Sequence, residues 1–345
     1  MRILVAMSGG VDSSVVAALL VEQGHEVIGA TLQLYDHGAA TQKKGACCAG
    51  QDIHDARRVA DHLGIAHYVL NREQRFREAV MQDFADSYAR GETPIPCIRC
   101  NQTVKFQDLM VLADDMDCEA LATGHYARTD GASLRMAADS GRDQSYFLAH
   151  TTAAQLARTR FPLGDMASKA EVRAHAARLG VAVADKPDSQ DICFVPTGSY
   201  ADIVGRLRPD ALEPGDIVDG EGRTLGRHDG IARYTVGQGR RIGIAAPTRL
   251  YVQAVDAPRR RIVVGPRPQV RDIAVAGLNW LTPPPAGEFR ADIKLRAQEV
   301  PHPATLWLEA GRLQVRPDRP AVAAPGQACV VYDGNLVRGA GFIQP

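Results

Sequence analysis

The sequence predicts an α/β protein: an N-terminal domain built on a parallel sheet, then a small β-rich central domain and a C-terminal β-barrel. Three observations predict it. Through residue 197, strand-like and helix-like runs alternate, the pattern of a parallel sheet with helices on both faces. From residue 198 the pattern changes to short β-like runs separated by turn pairs, Asp219-Gly220, Asp229-Gly230 and Asp333-Gly334. From about residue 270, roughly six such runs follow one another, which suits a small barrel. The expected domains are therefore 1–197, 198–268 and 269–345.

Taken in order, Arg2 to Ala6 reads as a buried strand, Ser13 to Val21 as a Val-, Ala- and Leu-rich helix, and Glu26 to Leu32 as the next strand. Between Asp52 and Leu63, Ile53, Ala56, Ala60 and Leu63 recur at helical spacing, with Gly64 as the stop. His67 to Leu70 and Glu119 to Thr123 supply further strands. Ser168 and Glu171 have capping-box spacing for a helix that Gly180 ends. Beyond Pro214, Tyr251 to Val255 and Ile262 to Val264 read as a hairpin, and Pro283 to Pro285 as a turn.

Composition excludes several classes. Forty Lys and Arg balance forty Asp and Glu, so the chain is no strongly basic polyanion binder, although local basic patches fit a neutral whole. At 45% hydrophobic and 23% charged residues, a packed core is expected. No apolar run approaches the roughly 18 residues of a membrane span, and Ile3-Leu4-Val5-Ala6 is too short for a signal-peptide core. The cytoplasm is the expected compartment, with no membrane partner. Seven cysteines in such a compartment point to catalysis, metal binding or burial rather than disulfide stapling.

Strand, then Ser8-Gly9-Gly10-Val11-Asp12-Ser13-Ser14, then helix is a nucleotide site by its own physics. Gly9 and Gly10 allow left-handed backbone and close approach to phosphates, and the unpaired N–H groups opening the helix attract anions. Ser8, Ser13 and Ser14 add hydroxyl donors. No Lys follows the glycines, so this is not the loop of γ-phosphate hydrolases. The heptad resembles the PP-loop of the N-type ATP pyrophosphatases (adenine nucleotide alpha hydrolase-like), which cleave ATP between its α and β phosphates. The resemblance implies ATP and Mg²⁺, with Asp12 near the pyrophosphate or its metal.

A proline-stiffened loop, Thr93-Pro94-Ile95-Pro96-Cys97-Ile98-Arg99-Cys100-Asn101, presents two cysteines, and a third lies in Asp188-Ser189-Gln190-Asp191-Ile192-Cys193-Phe194. With Ala122-Thr123-Gly124-His125-Tyr126, Asp143-Gln144-Ser145-Tyr146-Phe147-Leu148, Thr235-Val236-Gly237-Gln238 and Pro325-Gly326-Gln327, these motifs run in order through essentially the whole chain. Together they resemble the tRNA-specific 2-thiouridylases, which place sulfur at position 2 of the wobble uridine. The resemblance implies an ATP-dependent sulfurtransferase that adenylates the uridine O2 and replaces that oxygen with sulfur from a cysteine persulfide. It implies Cys193 as the persulfide carrier and Cys100 as the thiol that releases the terminal sulfur, leaving a Cys100–Cys193 disulfide or an equivalent state. A persulfide donor, a cysteine desulfurase or a sulfur-relay protein, is the implied partner beside tRNA.

Cys97 departs from the family pattern, which often has Asp there. Three thiolates, Cys97, Cys100 and Cys193, suit a 4Fe–4S iron–sulfur cluster with one open iron. That route and the cluster-free persulfide route both stay open. Cys118 and Cys329 read as buried structural thiols, and Cys47 and Cys48 lie in a Gly- and Ala-rich loop.

By the same resemblance, Ala6, Met7, Ser8, Gly9, Gly10, Val11, Asp12, Ser13, Leu32 and Gly124 form the ATP pocket. Ile95, Pro96, Cys97, His125, Arg142, Asp143, Gln144, Arg296 and Gln327 contact tRNA. His125 also reads as an ordinary satisfied histidine at a strand end. Around Arg296, the stretch Lys294-Leu295-Arg296-Ala297-Gln298 keeps the base of the family's segment but lacks its aromatic, so stacking is not expected there.

Overall fold

The computed structural model describes residues 1–35, 48–181, 183, 186, 192–195 and 199–345, with backbone only at 48 and 49. Cys47, the Cys48 side chain and residues 188–191 of the Cys193 motif lie outside the described residues. The chain divides into two compact units, the first comprising 1–80, 97–197 and 335–337, the second 81–96, 198–334 and 338–345.

In the first unit the expected strands form one parallel sheet. β1 (Arg2–Ala6), β2 (Glu26–Gln33), β3 (Ala66–Asn71), β4 (Ala120–Ala122) and the short β7 (Thr159–Arg160) lie in the order β3-β2-β1-β4-β7. β5 (Ala127–Thr129) and β6 (Leu134–Met136) add a small antiparallel hairpin. The central strands are continuous apolar runs because both faces are covered: Ile3, Leu4 and Val5 are buried, as are Ala120, Leu121 and Ala122. Helix α1 (Val11–Glu22) has no polar face through its middle, and Val15 to Leu20 are all buried.

Helices α2 (Cys48–Leu63), α3 (Phe106–Asp115) and α4 (Lys169–Arg178) complete the layers that matter for the site. α2 and α4 end alike. Gly64 and Gly180 take positive φ, and the next amides, Ile65 and Val181, donate back to Ala60 O and Ala176 O. At the start of α4 the Ser168 side chain accepts from the Glu171 amide, as expected. The Glu171 carboxylate, however, reaches the Ala167 amide at 2.7 Å, one residue before the position a capping box uses.

Strand order reverses at β1. The chain runs outward through β2 and β3 on one side, then resumes at β4 on the other. The loops leaving β1 and β4 therefore flank a topological switch point, where open α/β sheets bind ligands.

The second unit holds α5 (Tyr200–Leu207), opened by a Ser199–Asp202 capping box, with Tyr200 stacked on Tyr88 of the helix Gln82–Ala89. A four-stranded sheet follows: β8 (Gly215–Val218), β9 (Thr224–His228), β10 (Tyr251–Asp256) and β11 (Arg261–Gly265), the last two being the expected hairpin. The last six strands are β12 (Ile273–Trp280), β13 (Phe289–Lys294), β14 (His302–Glu309), β15 (Arg312–Pro317), β16 (Ala328–Asp333) and β17 (Leu336–Ile343). They close into the expected barrel because β12 pairs with both β15 and β17. Its interior is filled by Ile273, Val275, Ile293, Leu306, Leu313, Val315 and Val331, together with the fully buried Cys329. Leu306→Ala is expected to cost about 2–5 kcal/mol, the usual range for truncating a buried leucine. A lowered midpoint in urea unfolding, followed by tryptophan fluorescence, checks it.

Candidate active site

The loop after β1 is held from behind, not from the ligand side. Gly9 takes φ +73°, and a Cβ on it would stand 2.1 Å from the carbonyl oxygen of Asp52 at the start of α2. Lys186 Nζ ties the same region together, donating to Gly9 O at 3.0 Å and to the Asp52 and Asp55 carboxylates, each at 2.7 Å. Gly10 differs from expectation. It is extended (φ −93°, ψ 167°) and serves as the N-cap of α1, so only the first glycine of the pair needs left-handed backbone.

No side chain caps α1. Its leading N–H groups and the positive end of its dipole are left for a ligand, as an anion site requires. The serines divide the work differently from the expected set of three donors. Ser14 Oγ donates to Gly10 O at 2.8 Å and Ser13 Oγ to the same oxygen at 3.2 Å, so both close the loop on itself. Ser8 is exposed. Met7 is fixed by its amide on Ala30 O and by the Thr31 hydroxyl on its carbonyl. Asp12 accepts from Lys169 Nζ at 2.7 Å and from the Tyr126 hydroxyl at 2.8 Å.

The loop leaving β4 lies against this helix end. A Cβ on Gly124 would stand 2.9 Å from Ser13 N and 3.2 Å from the Asp12 Cβ. The next residue, His125, pairs Nδ1 with the Thr123 hydroxyl at 2.7 Å and stacks on Phe106, with Phe161 edge-on. Burial, helped by the nearby Lys105 ammonium, lowers its pKa to about 3. It is a neutral, enclosed imidazole.

Cys97 and Cys100 sit on the short helix Pro96–Cys100, followed by a π-turn over Asn101–Lys105. That turn, with its i to i+5 hydrogen bonding, ends on Lys105, five residues after Cys100. Lys105 is half-buried. Burial works against its charge, yet Cys100, Cys97 and Cys193 around it outweigh that and raise its pKa. It forms no ion pair with a carboxylate among the described residues. Cys97 and Cys193 keep accessible surface, whereas Cys100 is buried. Loss of hydration in the crowded surroundings raises all three thiols, Cys193 to about 12, and Lys105 is the charge that pulls each back. At rest these are protonated thiols.

No group of three or more His, Cys, Asp or Glu side chains that could hold a metal ion occurs among the described residues, and these include Cys97, Cys100 and Cys193.

A family model described as "tRNA methyl transferase HUP domain" matches residues 1–197, a "tRNA methyl transferase PRC-barrel domain" matches 202–266, and an "Aminomethyltransferase beta-barrel domain" matches 270–343. Among curated relatives, the tRNA-specific 2-thiouridylase MnmA of Acidiphilium cryptum is 63% identical over 99% of this chain and 100% of its own. The protein of that name from Gluconobacter oxydans is 57% identical over 99% of both chains, and that from Methylobacterium radiotolerans 55% over 98% and 91%. The chain belongs to the tRNA-specific 2-thiouridylase family.

The residues that the family resemblance assigns to tRNA are variously engaged. Asp143 shapes its own loop, accepting from the amides of Ala137 and Ser145 and from the Ser145 hydroxyl. Gln144 accepts the Tyr126 amide through Oε1, and Arg142 lies 5.9 Å over the Tyr126 ring. In the second unit, Ile95 and Pro96 are buried, Gln327 Nε2 donates to Thr93 O, and Arg296 lines a cavity with Thr93, Gln238 and Gln327. Ala6 and Leu32 are half-buried at the ends of β1 and β2.

Sequence reading missed four residues of this thiouridylase site: Lys105, Tyr126, Lys169 and Lys186. Lys105 follows Cys100 by five, a spacing that carries no meaning unless a π-turn is foreseen. Lys169 stands directly after a recognised N-cap serine, a signal that was available.

His125 yields a pH prediction. Unfolded histidine binds a proton near pH 6.5 while the folded residue does not, so the native state loses stability as pH falls below that value. From pH 7 to pH 5 the loss is on the order of 1–2 kcal/mol. In His125→Gln that component is absent, so the stability gap between wild type and variant is expected to narrow as pH falls, read from paired urea unfolding curves.

Proposed function

We propose that this chain is a tRNA uridine 2-sulfurtransferase using ATP with Mg²⁺. One observation carries the reading. A single turn, Gly124-His125, touches both halves of the chemistry: Gly124 packs on the uncapped start of α1, and His125 neighbours the Lys105 that faces the three thiols. An anion-binding helix end and a sulfur site separated by one residue suit a reaction that adenylates an oxygen and then displaces it with sulfur.

The steps follow from leaving-group chemistry. The uridine O2 attacks the α-phosphorus of ATP, pyrophosphate departs, and the oxygen becomes part of an adenylate. Magnesium, when bound with the nucleotide, offsets phosphate charge, chiefly through the phosphate oxygens themselves. The loop amides and the α1 dipole hold the phosphates, and Lys169 stands beside Asp12 where charge builds on the leaving pyrophosphate. The terminal sulfur of a Cys193 persulfide then bonds to C2 and AMP leaves. Cys100 attacks the Cys193 sulfur of that bridge, releasing 2-thiouridine and forming a Cys100–Cys193 disulfide, which an external thiol reduces.

Lys105 meets the need of both attacking sulfurs for anionic character in surroundings that otherwise suppress it. Cys97 stands in the same field as an auxiliary thiol. The persulfide reaches Cys193 from a cysteine desulfurase or a sulfur-relay protein, and the enzyme works in the cytoplasm. The domain division we adopt is a catalytic domain at 1–197, a central β-rich domain at 198–268 and a tRNA-contacting barrel at 269–345.

Nucleoside mass spectrometry of tRNA incubated with the chain, ATP and a persulfide donor is expected to show 2-thiouridine, with AMP and pyrophosphate released; its absence with an active donor overturns the reading. Cys193→Ser should abolish the product. Lys105→Met is expected to slow thiolation by about tenfold or more, one thiol pKa unit being worth about 1.4 kcal/mol. It should leave ATP–pyrophosphate exchange near wild type, with Lys105→Arg retaining most thiolation.

A further inference from the structure

The chain is neutral overall, so affinity for an RNA must come from charge gathered locally. Several arginines of the second unit are already committed to acids. Arg290 forms a two-pronged pair with Asp318, Arg316 bonds Asp272, Arg208 bonds Asp86 and Asp210, Arg223 bonds Asp219, and Arg260 bonds Glu213.

Among the arginines without such a partner, three share one place. Arg267, Arg296 and Arg319 line one cavity of about 500 Å³ beside the barrel, and none makes a side-chain hydrogen bond or ion pair among the described residues. The two carboxylates on the same wall are already engaged. Asp318 is held by Arg290 at 2.6 and 2.7 Å, and Glu299 accepts the Leu295 amide at 2.8 Å with His302 at 3.7 Å. The cavity therefore presents three guanidinium groups with no internal counter-ion among the described residues.

Three uncompensated cations held together repel one another, and a bound anion relieves that repulsion. A planar guanidinium fork matches a phosphate oxygen pair. Arg296 also lines the adjoining cavity of about 310 Å³ with Thr93 and Gln327, and Thr93 begins the segment that leads through Ile95 and Pro96 to Cys97.

We propose that Arg267, Arg296 and Arg319 form a backbone-phosphate site for the RNA substrate, extending the contact assigned above to Arg296 alone. This rests on the sulfurtransferase reading for the identity of the RNA but not for the existence of the site. The site positions the RNA and reads no base.

The test uses the full chain with the double variant Arg267→Ala/Arg319→Ala, leaving Arg296 and all thiols in place. Filter binding of tRNA across a salt series should show affinity reduced roughly tenfold or more. The slope of log affinity against log salt should be shallower by about 1–2, in proportion to the phosphate contacts removed. Thiolation at saturating tRNA should stay within about twofold of wild type, so the loss falls on KM. The Arg267→Lys/Arg319→Lys variant, which keeps both charges, should recover most of the affinity and guards against a folding defect. Unchanged tRNA affinity and salt slope in the alanine variant overturn the proposal. So does tight binding of inorganic phosphate that the alanine variant loses while tRNA affinity holds, which marks a small-anion site. Filter binding needs no catalysis, so failure of the thiolation assay alone strikes the functional reading and leaves this site standing.

Discussion

Gly124 sits so close to the start of α1 that a side chain there would stand 2.9 Å from the Ser13 amide nitrogen. Much of the site depends on that close approach of two backbones. It sets the loop after β4 directly against the loop after β1, at the point where strand order reverses, and so makes the switch point a single surface. His125, the next residue, is half-buried and packs against Phe106 and Phe161. Its low pKa follows from this enclosure, and its neutrality adds no second positive charge beside Lys105. A glycine in the loop after β4 thus has consequences for both the phosphate end and the sulfur end.

Charge is arranged differently at these two ends. Around the phosphate loop two lysines are paired with acids: Lys169 bonds Asp12, and Lys186 bonds Asp52 and Asp55. Such pairs hold the loop in shape before any nucleotide arrives, while the uncapped helix start supplies the attraction for it. Lys105, beside the thiols, has no carboxylate partner among the described residues. It faces three thiols that burial keeps protonated, so its charge is satisfied only when one of them becomes an anion.

Much of this was legible in the sequence because it depends on local rules. The β1-loop-α1 unit, the Gly64 and Gly180 stops and the β10–β11 hairpin each rest on a few adjacent residues, and each occurs where the pattern put it. The fold class was legible for the same reason, since alternation of elements predicts a parallel sheet and turn spacing predicts a barrel. What was not legible depends on how the chain closes on itself in three dimensions. Ser13 and Ser14 looked like ligand donors, but both hydroxyls bond Gly10 O once the loop closes. Asp143 reads as an RNA contact in the sequence, and its bonds within its own loop could not be read there. Lys105 carried no motif at all, because its role arises from a π-turn and from a thiol 88 positions further along the chain.

The neutral total charge illustrates the same limit on a larger scale. Equal numbers of acids and bases argue against non-specific polyanion binding, and that argument holds for the average surface. Local binding depends on which charges are already paired. Arg259-Arg260-Arg261 is the most basic run in the sequence, yet Arg259 bonds Asp256 and Arg260 bonds Glu213. Arg267, Arg296 and Arg319 are scattered over more than fifty positions and stand next to no basic neighbour, yet the barrel gathers them onto one cavity whose acids are occupied. A count of arginines selects the first group. Asking which arginines lack a partner among the described residues and also share one cavity selects the second, and it is unpaired charge that can attract a phosphate backbone.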